Sequence, residues 1–234
     1  MTSIKKPIII SFDGNIGSGK SSAVQYFKQN FEKFCNLKTH NYKVCFLDEP
    51  VQQWEFIIDV EDGKNAIQKF YENNEKYAFP FQMMAYISRL TLFKQALKED
   101  YDIIFTERSM FTDKNVFAQM LYDTKAMNTI EYQIYLKWFD EFLETINTIK
   151  TIYIRTSPEI CCKRVLKRAR LGENIPLAYL KDCHHYHDKW LNDIGKIEEG
   201  NVLVIDGNEE TNTSIFINNK YYEELMEKVF KFMN

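Results

Sequence analysis

The chain has 234 residues, 45% of them hydrophobic, and a formal net charge of −3, which is apolar material for one full core and favours one domain over two. The acidic balance argues against general affinity for polymeric nucleic acid or an anionic membrane, and no apolar run approaches the roughly 20 residues that span a bilayer. Cys35, Cys45, Cys161, Cys162 and Cys183 form an odd set without CxxC spacing, so no disulfide framework or zinc site is expected, and with no signal-peptide core a reducing, cytoplasmic setting is.

Five short apolar, β-branched or aromatic runs predict buried parallel strands at 7–12, 43–47, 103–106, 151–154 and 202–205. Helical spacing predicts helices over 21–34, 81–97, 129–146, 158–170, 176–196 and 221–232. The polar stretch 60–75 reads as a surface loop. Alternating β and α elements imply an α/β fold with a doubly wound sheet, whose ligands bind beyond the carboxyl ends of the strands. The first strand runs into Gly14-Asn15-Ile16-Gly17-Ser18-Gly19-Lys20-Ser21, which fits G-x-x-x-x-G-K-[ST]. Gly14, Gly17 and Gly19 let backbone N–H groups approach an anion, and a Cβ there is expected to obstruct the phosphates. Lys20 would reach the terminal phosphates and Ser21 would offer its hydroxyl to Mg²⁺.

Charged residues follow the other strands. Glu49, before Pro50, is either a general base for an attacking hydroxyl or an ordinary strand-end acid, and position does not choose. Glu107 and Arg108 either pair with each other or serve the phosphate site, Arg108 holding the acceptor oxygen or the moving phosphoryl group and Glu107 orienting Mg²⁺ through water. Lys163, Arg164, Lys167, Arg168 and Arg170 make a basic stripe, either a solvated helix face or an arginine-rich lid over a phosphoryl donor. Cys183, His184, His185 and His187 read as packing and surface residues rather than a metal site, because 184 and 187 share a helix face that 185 does not. After Pro80, the residues Gln82, Ala85, Tyr86 and Arg89 follow i, i+3, i+4, i+7 spacing, either a nucleobase-reading face or a half-exposed helix with a polar rim.

Together these residues resemble the deoxyribonucleoside kinases. The resemblance runs from about residue 7 to 210 through GNIGSGKSS at 14–22, EPVQQW at 49–54, YAFPFQ at 77–82, ERSMFTD at 107–113, KRARLGE at 167–173, PLAYL at 176–180, HHYHDKWL at 184–191 and VIDGNEE at 204–210. It implies a P-loop kinase fold, a five-stranded parallel sheet flanked by helices, with a lid at about 163–176 inside a single domain spanning 1–234. It implies ATP and Mg²⁺, a phosphate loop from Gly14 through Ser22, and Glu49 deprotonating a deoxyribose 5′-hydroxyl that Arg108 steadies. It further implies that Tyr71 and Glu173 hold the 3′-hydroxyl, Trp54 and Phe81 shape the pocket, Gln82 reads the base and Phe117 stacks on it. Arg164, Arg168 and Arg170 become lid arginines, the donor adenine lies near Asp206, and a homodimer forms through helices such as 129–146 with Trp138, Phe139 and Phe142. Gly172 departs from the second acid that many relatives carry before the retained Glu173.

Relatives that use thymidine tend to carry Met or a small residue where Arg89 and Asp113 stand, so this pair resembles deoxycytidine and deoxyguanosine kinases. Its bulk and charge would crowd a 5-methyl group while offering an acceptor to an exocyclic amine, which favours deoxycytidine, deoxyadenosine or deoxyguanosine over thymidine. A nucleoside monophosphate kinase of the thymidylate kinase type is the nearest rival, but its anionic acceptor would be repelled by Glu49. A nonenzymatic nucleotide switch leaves Tyr71, Gln82 and Glu173 without a purpose.

Overall fold

The computed structural model describes residues 6–142, 149–170, 172–191, 200–208 and 219–233. Five strands, β1 (Ile8–Asp13), β2 (Val44–Leu47), β3 (Ile103–Glu107), β4 (Lys150–Arg155) and β5 (Val202–Asp206), form one sheet in the order β2-β3-β1-β4-β5. Every neighbouring pair is parallel, with Ile10 opposite Phe105 and Ile152 opposite Leu203. β1 and β3 are nearly continuous apolar runs because helices cover both faces and leave no wet side.

One face is covered by α1 (Lys20–Leu37) and by the last helix, α10 (Asn219–Met233). Phe27 and Phe31 of α1 meet Phe12 and Phe105 edge to face at 4.9–5.7 Å. The other face is covered by α4 (Asn74–Ala96), by the helical run α5 (Met110–Thr112), a π-helical turn (Asp113–Ala118) and α6 (Gln119–Asp123), and by α7 (Thr129–Phe142). α8 (Pro158–Arg168) and α9 (Leu177–Leu191) pack beside β4, and α2 (Val51–Glu55) and α3 (Ala66–Glu72) stand beside α4.

Two expectations are overturned. Residues 60–75 are not one surface loop, since α3 occupies Ala66–Glu72 behind an Asn65–Gln68 capping box. That box, with Ile67 and Phe70 turned into the core, stabilises a short helix the polar composition disguised. Nor does a helix begin after Pro80. α4 starts at Asn74, where the Asn73 side chain accepts the Lys76 N–H at 3.1 Å, and carries Pro80 inside it. The proline leaves the Lys76 carbonyl without its i+4 donor, a cost of ~3 kcal/mol in a free helix that the packing of Phe79 and Phe81 offsets here. Residues 143–146 and 192–196 of the expected helices, and the Phe142 side chain, lie outside the described residues.

Candidate active site

A cavity of about 1280 Å³ opens beyond the carboxyl ends of β1, β2 and β3, where the strand order places ligands in sheets of this kind. Its wall begins with the turn from β1 into α1. Gly14, Gly17 and Gly19 have φ of +144°, +80° and +104°, conformations that side chains oppose. The expected reason for two of these glycines needs correction. A Cβ at Gly14 would lie 2.4 Å from the Ile154 carbonyl oxygen, and one at Gly17 2.6 Å from that of Cys161. Glycine is required there because the loop presses on β4 and α8, not because a Cβ would enter the phosphate space.

Gly14, Asn15 and Ser18 do not line the cavity; they brace the loop. The Asn15 amide donates to the Leu180 carbonyl at 2.8 Å and its Oδ1 accepts the Ile16 N–H. Ser18 offers its carbonyl to the Thr156 hydroxyl at 3.0 Å and to Arg164 at 3.1 Å. Ile16, Gly17, Gly19, Lys20, Ser21 and Ser22 do line the cavity. Lys20 donates to the carbonyls of Gly14 at 3.0 Å and Asn15 at 2.7 Å. Burial and then the nearby Arg108 charge lower its pKa to about 8. The Ser21 hydroxyl donates to Glu107 Oε1 at 2.6 Å. Burial, reinforced by the Glu49 charge, pushes the Glu107 carboxyl upward. Two adjoining oxygen ligands beside a phosphate loop fit a hard cation such as Mg²⁺.

Opposite that wall, Glu49 is held by two arginines through a single oxygen. Oε1 accepts from Arg108 Nη1 at 2.6 Å and from Arg89 Nη2 at 3.2 Å, whereas among the described residues no hydrogen bond reaches Oε2. Burial raises the Glu49 pKa, but the charges of Arg108, Arg89 and Lys20 outweigh it and leave the carboxyl well below the usual range. It is ionised throughout the physiological range. Arg108 sits at φ +61° just past β3, a left-handed conformation that costs a non-glycine residue about 1 kcal/mol. Its guanidinium lies over the Phe117 ring, 5.1 Å from the centroid. Arg89 also donates to both Asp113 oxygens, at 3.0 and 3.4 Å, and to the Glu107 carbonyl at 2.9 Å.

The apolar end of the cavity is lined by Trp54, Tyr71, Phe81, Gln82, Ala85 and Phe117. Trp54 is fixed by its indole N–H to Ser88 at 2.9 Å, and Phe81 stacks on Phe70 at 4.5 Å. Gln82 is 3% exposed, and its Oε1 is buried with no hydrogen-bond partner among the described residues. Asp113 and Phe117 both come from the π-helical turn, a geometry frequent at functional sites. Phe70 and Tyr179 also line the cavity and were missed as site residues. Phe70 lies in the stretch read as loop, where an N-x-x-Q cap followed by apolar residues was the available signal.

Beyond the loop, two expected site residues, Tyr86 and Asp206, and one expected dimer contact, Phe139, are placed elsewhere. Tyr86 is fully buried against Tyr135 and Phe139, with its hydroxyl donating to the Trp138 and Phe139 carbonyls at 3.3 Å. It lies about 100° round the helix from Ala85, which carries it past the cavity onto α7. Phe139 is buried in that same packing rather than exposed for a partner. Asp206 is exposed and spends Oδ1 on the backbone and side chain of Asn208, at 2.9 and 2.7 Å, outside the cavity. Arg164, Arg168 and Arg170 do line the cavity, but Arg168 and Arg170 pair with Glu173, Arg170 at 2.9 Å. In α9, His187 is buried with Nδ1 at 2.6 Å from the Cys183 carbonyl, while His184 faces Asp188 at 3.3 Å. Among the described residues no group of three or more potential ligands gathers for a metal, and no helix is long and apolar enough to cross a membrane.

Comparison with known proteins adds an independent observation. The sequence profile of the family described as deoxynucleoside kinase matches residues 10–234. Human deoxycytidine kinase is 32% identical over 250 residues, covering 100% of this chain and 92% of the human one. A fowlpox virus protein named probable deoxycytidine kinase is 36% identical over 203 residues, covering 85% and 78%. Human mitochondrial thymidine kinase 2 is 28% identical over 190 residues, covering 80% of this chain and 65% of that one.

Proposed function

This chain belongs to the deoxynucleoside kinase family, and from that premise we propose how its cavity transfers the γ-phosphoryl group of ATP to the 5′-hydroxyl of a deoxynucleoside. The enzyme is a deoxynucleoside kinase; the monophosphate kinase and switch readings are not favoured. Arg108 and Arg89 hold Glu49 by Oε1, so Oε2 is the atom that receives the 5′-hydroxyl proton as the oxygen attacks phosphorus. The displaced oxygen leaves as ADP. Lys20 and the amides around Gly17–Gly19 receive the donor phosphates, and lid arginines at 163–176 close over them within a single domain. Ser21 and Glu107 would hold Mg²⁺, which when bound neutralises phosphate charge.

Base choice rests on Gln82 and the Arg89–Asp113 pair. Gln82 Oε1 is a buried acceptor that no described residue satisfies, and an exocyclic amine provides a donor. The buried pair beside it leaves a 5-methyl group crowded. Amine-bearing deoxynucleosides, with deoxycytidine foremost given the named relatives, are favoured over thymidine. Five free cysteines support a reducing, cytoplasmic setting. A homodimer is supported by Ile87 of α4 and Ile130, Ile134 and Trp138 of α7, all exposed.

The observation that carries the reading is a carboxylate with one oxygen gripped by two arginines, beside a glycine loop and lysine. Purified protein with ATP and Mg²⁺, offered each deoxynucleoside and each deoxynucleoside monophosphate in turn, is expected to make a 5′-monophosphate from a nucleoside. Turnover of monophosphates alone would refute it.

A further inference from the structure

The chain around Arg108 is held by a clamp of buried hydrogen bonds that no part of the transfer chemistry uses. The Arg108 backbone N–H donates to the Phe12 carbonyl at 3.0 Å, and its carbonyl accepts from the Thr106 hydroxyl at 2.7 Å. The next residue, Ser109, gives its N–H to the Thr112 hydroxyl oxygen at 3.2 Å. That hydroxyl in turn donates to Asp13, whose other carboxylate oxygen accepts from Ser11. Asp13 and Thr112 are both fully buried. Asp13 immediately precedes Gly14, whose carbonyl accepts from both Lys20 and Arg108 Nη2, at 3.0 and 3.4 Å. One hydroxyl therefore ties the chain just past a left-handed arginine to the residue that opens the phosphate loop.

We propose that Asp13 and Thr112 are positioning residues that lock the Arg108 backbone against the start of the phosphate loop, so that its guanidinium meets Glu49 where the acceptor hydroxyl must bind. Left-handed residues persist where surrounding contacts over-determine them. The Asp13–Thr112–Ser109 relay is such a contact, reaching the residue beside Arg108 from the end of β1 through α5. Because a small displacement of a group that orients reactants costs rate rather than affinity, loss of the clamp shows in kcat.

The proposal rests on Arg108 serving phosphoryl transfer, and the test separates the two. Thr112→Val removes the hydroxyl and keeps the shape; kcat is expected to fall tenfold or more, with KM for nucleoside and ATP within about twofold. Thr112→Ser should restore kcat to within about twofold. In an Arg108→Lys background Thr112→Val should change kcat less than about twofold, because the coupling runs through the arginine. Wild-type turnover in Thr112→Val, or an equal loss in both backgrounds, overturns the clamp. Amide hydrogen exchange on the unaltered protein decides the matter even where the variant fails to fold. The Ser109 N–H should be protected like its neighbours in β3, and rapid exchange there overturns the proposal. An inactive wild-type protein with a protected Ser109 would instead refute the kinase chemistry and leave the clamp standing.

Discussion

Glu49 carries two duties that its surroundings allow to be separated. As the proton acceptor it acts on the transition state, so Glu49→Gln is expected to lower kcat by about two to four powers of ten while nucleoside KM changes little. Comparable loss of nucleoside binding would contradict that role. As the partner of Arg108 and Arg89 it also supports the fold, so the same variant should melt earlier. Its pKa is depressed in the folded state, so the stability it confers is full above the unfolded value of about 4.3 and fades as pH falls through the lower folded value. The gap in Tm between wild type and variant should therefore be wide at pH 7 and close in acid. The base-reading pair has a similar double character. Replacing Arg89 with Met and Asp113 with Ala together should raise thymidine use relative to deoxycytidine, yet absolute kcat should fall for both, because Arg89 also holds Glu49. An unchanged ratio in steady-state competition would remove the selectivity argument. This dual role was not legible in the chain: residues 49, 89, 108 and 113 announce themselves as charged positions near strand ends or on a polar helix face, but only the folded geometry shows Arg89 and Arg108 converging on one oxygen of Glu49 while Asp113 holds Arg89 from the other side.

At the scale of elements, the lid and α3 are joined where Gly172 meets Gln68. Gly172 has φ +81°, and a Cβ on it would lie 2.3 Å from Gln68 Cγ. The neighbouring Glu173 holds Arg168 and Arg170. Gly172→Ala would meet both the left-handed penalty and the Gln68 side chain, which its own capping box holds in place. The expected result is a roughly tenfold fall in kcat/KM with little change in Tm, since Gly172 itself lies outside the buried cluster that Val165 and Ile175 join; steady-state kinetics beside a thermal melt would check it. Legibility at this scale followed the kind of signal. Strands β1 and β3 were evident because a sheet covered on both faces makes whole segments apolar, and the phosphate loop because its glycines need unusual backbone angles. α3 was hidden because seven residues give little periodicity, and the start of α4 because Pro80 reads as a boundary. The site inherited those errors: Phe70 was lost with α3, and Tyr86 was gained because i, i+4 spacing defines a face about 100° wide whose margin turns away from the cavity.

The cavity draws its helical lining from α1 to α4, the π-helical turn, α8 and α9, and none of it from α7, so the proposed homodimer face on α7 lies apart from the site. α7 presents Ile130, Ile134 and Trp138 at four-residue intervals, 71%, 41% and 46% exposed, and Ile87 of the adjacent α4 is 47% exposed. Such an apolar stripe is costly to leave in water, and covering it with the same stripe of another molecule satisfies the two-fold symmetry usual for homodimers. The inner side of α7 is already spoken for, with Tyr135 and Phe139 packed on Tyr86, so substitutions on the outer side should leave the fold intact. Ile134→Lys combined with Ile87→Lys is expected to halve the mass seen by sedimentation velocity while preserving kcat within about twofold, because like charges would face each other across the axis. An unchanged mass would assign the stripe to some other contact. A lost kcat with the mass halved would show that association, although it adds no residue to the cavity, holds α4 and its Gln82 and Arg89 in working register.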